Sequence, residues 1–251
     1  MNDIKKYPYV WSGIYKKIDD IQNDTNVFEN QRWINRTIDT LTSYRNACKT
    51  EALVMPPRLS SLPMLVASTG AKTIIDFGGS SGWVYDFLDN TVDTSEITTY
   101  KIIELKEFAK IIKENGLHKD PVSYLTHSEA LPKCDIFYAN SAIQYVYDDI
   151  ELLKVIEESS AEWILIEDFL GGSFDDFFTL QKYYEKSIPV KFRNRENFVG
   201  ALKEYDLILS QPYPSIIFEK ISEFPMKNFP KNKRIKFSET MLFKKRRIFD
   251  D

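Results

Sequence analysis

The residues best suited to chemistry in this chain form one short stretch, Asp76-Phe77-Gly78-Gly79-Ser80-Ser81-Gly82. It closes an apolar run, Thr73-Ile74-Ile75, that reads as a buried parallel strand. The glycines let the backbone turn sharply and leave no side chain between it and a ligand. Asp76 can hold that turn by accepting backbone N–H bonds, or can bind the ammonium end of a ligand's amino-acid part. Strand, glycine-rich turn and helix in succession build the mouth of a nucleotide pocket at the carboxyl edge of a doubly wound sheet. The G-x-G-x-x-G register of dinucleotide enzymes does not fit here, and a purely structural loop is the plain alternative.

Four further places carry suitable groups. Glu104 ends the next strand-like run, where an acid can accept both ribose hydroxyls. Its distance from Asp76 exceeds the roughly 20 residues of the compact fingerprint, which calls for a loop insertion around Asn90–Glu96. Asn140-Ser141-Ala142-Ile143-Gln144-Tyr145 follows a fourth strand, beside the crevice where ligands bind. Asn140 and Ser141 can line a cofactor there or cap a helix. Glu167-Asp168 follows a fifth strand; one of the pair can act as a general base if burial raises its pKa, and a simple turn before Gly171-Gly172 is the rival role. His127 follows the third strand and is a base, an adenine neighbour or a plain loop histidine, whereas His118 sits in a charged loop.

The elements that must position these groups read as follows. A helix is expected from about Phe28 to Ala47, with Ile34, Ile38, Leu41 and Tyr44 as its apolar stripe. Pro56-Pro57 breaks the chain, and a second helix covers Leu59 to Ser68. Strands are expected at Thr73–Phe77, Thr99–Glu104, Val122–Leu125, Cys134–Ala139 and Trp163–Glu167, with helices starting at Trp83, running from Lys106 to Asn115, and running from Asp149 to Ser159. Such alternation predicts a parallel α/β sheet. Later strands are expected at Tyr205–Ser210, Ser215–Phe218 and Thr240–Phe243, the last two antiparallel at the sheet edge. Two units follow: an N-terminal helical cap over residues 1–70 and a Rossmann-like core over 71–251.

Composition excludes several classes. The 251 residues carry a formal net charge of −4, which gives no general attraction to nucleic acid or an anionic membrane. The basic runs at 231–236 and 244–247 read as solvated surface and tail. Cys48 and Cys134 are the only cysteines and lack metal-ligand spacing, so neither a disulfide framework nor a metal site is expected. No run approaches the roughly 18 apolar residues of a membrane span, and the first residues lack a signal-peptide core, so the expected compartment is the cytoplasm. Phosphate-loop, nucleophile-elbow and H-E-x-x-H motifs are absent.

Ile74 to Gly82 resembles motif I of the class I S-adenosylmethionine-dependent methyltransferases, with Ser80 where the class has its middle glycine. More narrowly, Asp-Phe-Gly-Gly-Ser at 76–80 resembles a methyltransferase family met in bacterial surface-polysaccharide gene clusters. Trp11-x-Gly13-Ile14-Tyr15 is similar to that family's N-terminal segment, and Asn140 to Val146 is similar to its Ser-x-x-Leu-Gln-Tyr-Leu stretch. Residues 187–190 through 213–214 are a weaker match. The resemblance implies a Rossmann-like, doubly wound, mostly parallel seven-stranded sheet that binds S-adenosylmethionine. It implies that Asp76, Gly78, Gly79, Ser80 and Gly82 shape the methionine end and that Glu104 holds the ribose. By the same resemblance His127 and Ser128 lie near the adenine, and Asn140 and Ser141 flank the sulfonium.

A methyltransferase of this kind aligns an acceptor with the methyl–sulfur bond and, for a hydroxyl, removes a proton. His127, Asp168 and Tyr145 are the base candidates, in that order. The acceptor implied is a small molecule: a sugar, a nucleotide-linked sugar or a related surface-polysaccharide precursor. A non-catalytic methyltransferase-like partner subunit and another Rossmann nucleotide-binding enzyme are the alternatives. Trp11, Tyr15 and Trp33 could stack on a sugar ring or a base, or bury against the core.

Overall fold

A computed structural model describes residues 10–21, 31–50, 61–126, 130–183, 186–213, 216–217, 220–221 and 223–247. In chain order the elements are β1 (Trp11–Tyr15), α1 (Gln31–Thr50), α2 (Ser61–Thr69), β2 (Thr73–Phe77), α3 (Trp83–Asp89), β3 (Thr99–Ile103), α4 (Lys106–Glu114), β4 (Val122–Leu125), β5 (Ile136–Asn140), α5 (Asp149–Ser159), β6 (Trp163–Phe169), β7 (Gly171–Gly172), β8 (Phe177–Tyr183), β9 (Lys186–Asn194), α6 (Arg195–Ala201), β10 (Tyr205–Tyr213), β11 (Ile216–Ile217), β12 (Lys220–Ile221) and β13 (Ser238–Lys245). A single 3₁₀ turn, Ile143–Tyr145, follows β5.

Seven strands form the main sheet in the order β10-β13-β6-β5-β2-β3-β4. The pairs β2–β3, β3–β4, β2–β5 and β5–β6 are parallel. From β2 the chain steps outward to β3 and β4, then crosses back to β5 on the other side of β2. That reversal leaves a crevice above the carboxyl ends of β2 and β5, the place where open α/β sheets bind ligands. Neighbouring side chains point to opposite faces. Ile75, Phe77, Phe137 and Ile164 pack with Leu152 and Ile156 of α5, while Ile74, Tyr100, Ile136 and Leu165 pack with α2 and α3. Asp135 ties the entry of the central strands together: its Oδ2 accepts from Lys72 N at 2.8 Å, Thr73 N at 2.9 Å and Thr73 Oγ1 at 2.9 Å.

The edge differs from the sequence expectation. β13 is antiparallel to both β6 and β10, so the antiparallel edge pair is β10–β13. Ile216–Ile217 instead pairs with Lys220–Ile221 in a separate ribbon.

A second sheet, β1-β8-β9-β7, has no counterpart in the sequence reading. Most of it is inserted between β6 and β10, and the N-terminal β1 pairs with β8. The first 70 residues are therefore not a helical unit alone: Trp11–Tyr15 is a strand, because its edge has β8 to bond to. Trp11 lies edge-on to Phe192 with ring centroids 5.9 Å apart and also meets Phe224, inside an apolar cluster with Phe177, Val190 and Phe229. Lys233, from the basic run read as solvated, sits 5.2 Å from the Phe177 ring centroid and donates to the Asp175 carbonyl.

The insertion grips the segment after β5. Arg193 of β9, only 2% exposed, donates to Asp149 Oδ1 at 2.9 Å and to the Val146 carbonyl at 2.6 Å. Lys191 donates to Asp149 Oδ2 at 2.6 Å, and Tyr147 donates to the Pro189 carbonyl. Among the described residues, no helix is long and apolar enough to cross a membrane, and no cluster of three or more His, Cys, Asp or Glu is arranged to hold a metal.

Candidate cofactor site

A cavity of about 450 Å³ opens at the crevice. Its wall comes from the turn after β2, the end of β3, the segment after β5, the end of β10 and one face of α1.

The turn is built for close approach. Gly78 has φ +70°, and a Cβ there would meet the Ala142 Cβ at 2.6 Å. Gly79 lies directly on Asp76: a Cβ would fall 2.3 Å from Asp76 Oδ2. Only glycine lets the turn sit between these two neighbours. Ser80 adopts φ +53°, so it takes the left-handed conformation that glycine takes without strain. Gly82 starts α3. Ser81 was passed over in the sequence, yet it is on the wall, buried, and its Oγ makes no hydrogen bond among the described residues.

Two acids flank this turn. Asp76 is buried, and Tyr100 Oη donates to its Oδ2 at 2.7 Å. Burial pushes its pKa up to about 7; the Tyr100 bond pulls it down and Glu104 pushes it up. The sequence leaves Asp76 open between holding the turn and binding an ammonium; the hydrogen bond it accepts comes from Tyr100. Glu104 Oε2 accepts from Ser80 N at 3.0 Å and Oε1 accepts from Leu105 N at 2.9 Å. Burial raises its pKa against the pull of those two N–H groups.

The segment after β5 supplies the other end of the cavity. Asn140, Ser141, Ala142, Tyr145 and Val146 are on the wall. Neither Asn140 nor Ser141 caps a helix: the 3₁₀ turn has Ala142 at its start, and α5 is capped by Asp148. Asn140 Nδ2 donates to Tyr138 Oη at 3.0 Å and Glu167 Oε2 at 3.2 Å, and Tyr138 Oη donates to the same Glu167 oxygen at 2.7 Å. Ser141 Oγ donates to Asp168 Oδ2 at 2.6 Å. Asp168 itself is half-buried and stands behind Ser141, off the wall. Tyr145 is on the wall, with its hydroxyl donating to Gln181 Oε1 at 3.1 Å. His127 and Ser128 fall outside the described residues.

The wall also holds Trp33, Arg36, Thr37 and Thr40 of α1 and Tyr213 of β10, of which the sequence reading names only Trp33 as a ligand contact. The signal for α1 was available: these positions flank the apolar stripe at spacings of three and four. Trp33 does reach the wall, though its ring packs on Phe108 at 4.9 Å, and Trp11 belongs to the second sheet.

No protein-family model and no curated protein sequence matches the chain. Solved structures of similar shape exist. The complex of the Haloferax volcanii Trm112 methyltransferase activator with its candidate methyltransferase aligns at 12% identity and TM-score 0.50, covering 85% of this chain and 94% of that one. The Burkholderia thailandensis 1,6-didemethyltoxoflavin-N1-methyltransferase, solved with 1,6-didemethyltoxoflavin and S-adenosylhomocysteine, aligns at 14% identity and TM-score 0.49, covering 90% and 93%. At these identities the likeness is one of fold, and with the strand order above it gives this chain a Rossmann-like methyltransferase fold.

Proposed function

We propose that the protein transfers a methyl group from S-adenosylmethionine to a small molecule: a sugar, a nucleotide-linked sugar or a related precursor of a surface polysaccharide. One observation carries the reading: the glycine turn, Asp76 and Glu104 converge on a single cavity at the switch point of the sheet. The fit to the cofactor rests on two features, a cradle that admits no Cβ at Gly78 and Gly79 and the unmet Ser81 hydroxyl on the wall. The cofactor, when bound, supplies a methyl group already activated by the sulfonium.

The chain's own part is binding, orientation and proton removal. The turn from Gly78 to Gly82 lets the backbone approach the ligand, with Ser80 in the strained place. Glu104 keeps lone pairs on both oxygens for ribose hydroxyls beside its two N–H bonds. Asp76 faces the amino-acid end. Asn140 and Ser141 bound the reacting end, and Asp168, reached through Ser141, takes the acceptor proton, with Tyr145 and His127 as the other candidates. The acceptor class rests on the family resemblance of 76–80 and 140–146.

Isothermal titration with S-adenosylhomocysteine tests the cofactor, with saturable binding expected. No heat at millimolar ligand would sink the reading. A panel of sugars and nucleotide sugars with mass-spectrometric detection of a 14-dalton gain tests the acceptor. The position of Asp168 off the cavity wall favours a second reading, a partner subunit that binds the cofactor without transferring its methyl. Sustained turnover with any acceptor eliminates it.

A further inference from the structure

α1 is fixed over the cavity from both sides. Near its start Trp33 and Ile34 pack against Phe108 and Ile112 of α4. Farther along, Arg45 Nε donates to buried Asp86 Oδ2 at 2.9 Å and its Nη1 donates to the Leu117 carbonyl at 2.8 Å. Leu41, between them, is fully buried. The face carrying Trp33, Arg36, Thr37 and Thr40 is thereby held against the cavity.

Among the described wall residues Arg36 is the one cationic side chain, and it shares the cavity with the acids Asp76 and Glu104. The amino-acid end of S-adenosylmethionine is a zwitterion. An ammonium finds its complement in Asp76, but a carboxylate beside two acids is repelled unless a cation offsets them. Arginine suits that place, because its planar fork meets a carboxylate through two parallel N–H bonds.

We propose that Arg36 binds the carboxylate of the cofactor's amino-acid end, so that α1 and the turn after β2 form the two halves of one zwitterion site. The inference rests on the methyltransferase reading above. It assigns this face of α1 to the cofactor and leaves the acceptor to the side bounded by Ser141, Tyr145 and Tyr213.

The test uses two ligands in parallel. S-adenosylhomocysteine carries the amino-acid end; 5′-methylthioadenosine keeps the nucleoside and lacks that end. Both are titrated calorimetrically into the wild-type chain, Arg36→Ala and Arg36→Lys. Arg36 is exposed, so the variants are expected to melt with the wild type. The expected result is a loss of about 10–100-fold for S-adenosylhomocysteine in Arg36→Ala. The affinity for 5′-methylthioadenosine stays within about twofold, and Arg36→Lys lies between, since it restores charge but not the fork. Equal losses for both ligands, or no loss for either, would overturn the inference while leaving the methyltransferase reading intact. So would an Arg36→Ala variant that loses only its binding of inorganic phosphate, which would move Arg36 to an anionic acceptor. A wild-type chain that binds neither nucleoside ligand overturns the methyltransferase reading and this inference together.

Discussion

Ser141 Oγ and Asp168 Oδ2 are 2.6 Å apart, and both residues hold left-handed backbone, at φ 52° and 62°. Ser141 follows β5 and Asp168 lies near the end of β6, its parallel neighbour, and Ser141 N also donates to the Glu167 carbonyl at 3.1 Å. Two non-glycine residues in this region, bonded to each other beside a cavity, store backbone strain of about 1–3 kcal/mol each. Asp168→Asn preserves the shape and still accepts from Ser141. Its expected effect is unchanged affinity for S-adenosylhomocysteine and turnover on a hydroxyl acceptor lower by about 100-fold or more. Steady-state kinetics beside calorimetry checks both halves.

Asp76 predicts a pH dependence of ligand binding. A carboxyl raised to about 7 must ionise to meet an ammonium, so affinity for S-adenosylhomocysteine rises as pH climbs toward 7 and levels off above it. Asp76→Asn flattens that rise. Tyr100→Phe removes a bond that lowers the pKa and moves the midpoint upward. Stability runs the other way. The folded state holds this proton more tightly than the unfolded chain, so Asp76 removes stability as pH rises from about 4 to about 7. Urea unfolding of the wild type and Asp76→Asn at both ends of that window measures the difference.

The turn separates two kinds of glycine requirement. Gly79→Ala places a methyl on the Asp76 carboxylate, with an expected cost of about 2–3 kcal/mol and loss of S-adenosylhomocysteine binding. Gly70→Ala is the control: its φ is +66°, nothing lies within 4 Å of the added Cβ, and about 1 kcal/mol is expected. Ser80→Gly relieves the same backbone strain and is expected to be neutral or stabilising by up to about 1 kcal/mol. Denaturant midpoints and ligand titrations distinguish the three.

Asp149→Asn leaves Arg193 and Lys191 without their shared acid. Arg193 is buried, so the expected cost is about 2–4 kcal/mol, below the full value for a buried pair because Asp149 is partly exposed. Thermal melts give the stability. Fluorescence of Tyr145 and its neighbours reads whether the cavity wall moves with the lost tether.

The central strands were legible because β2, β5 and β6 are buried on both faces and read as short, mostly apolar runs. Val122–Leu125 was read to the residue. β9 was not, because Pro189, Lys191 and Arg193 interrupt it, and those charges are buried because Asp149 and Asp176 lie across from them in the fold. β1 is five residues with a glycine inside it, and its pairing with β8 is invisible locally. The site followed the same division. Gly78, Gly79, Ser80 and Glu104, singled out by the sequence, line the cavity while Gly82 lies off its wall, whereas Arg36 and Tyr213 reach the cavity only through tertiary folding.

The pairing of β1 with β8 also orders events during synthesis. Thr179 Oγ1 donates to the Ser12 carbonyl across a separation of 167 residues, and Asn228 Nδ2 donates to the Trp11 carbonyl across 217. β1 thus leaves the ribosome long before the partners it bonds to, and Trp11 stays uncovered while the parallel sheet assembles. In a nascent chain that stalls before Asn228, the indole of Trp11 is a point for a chaperone to hold.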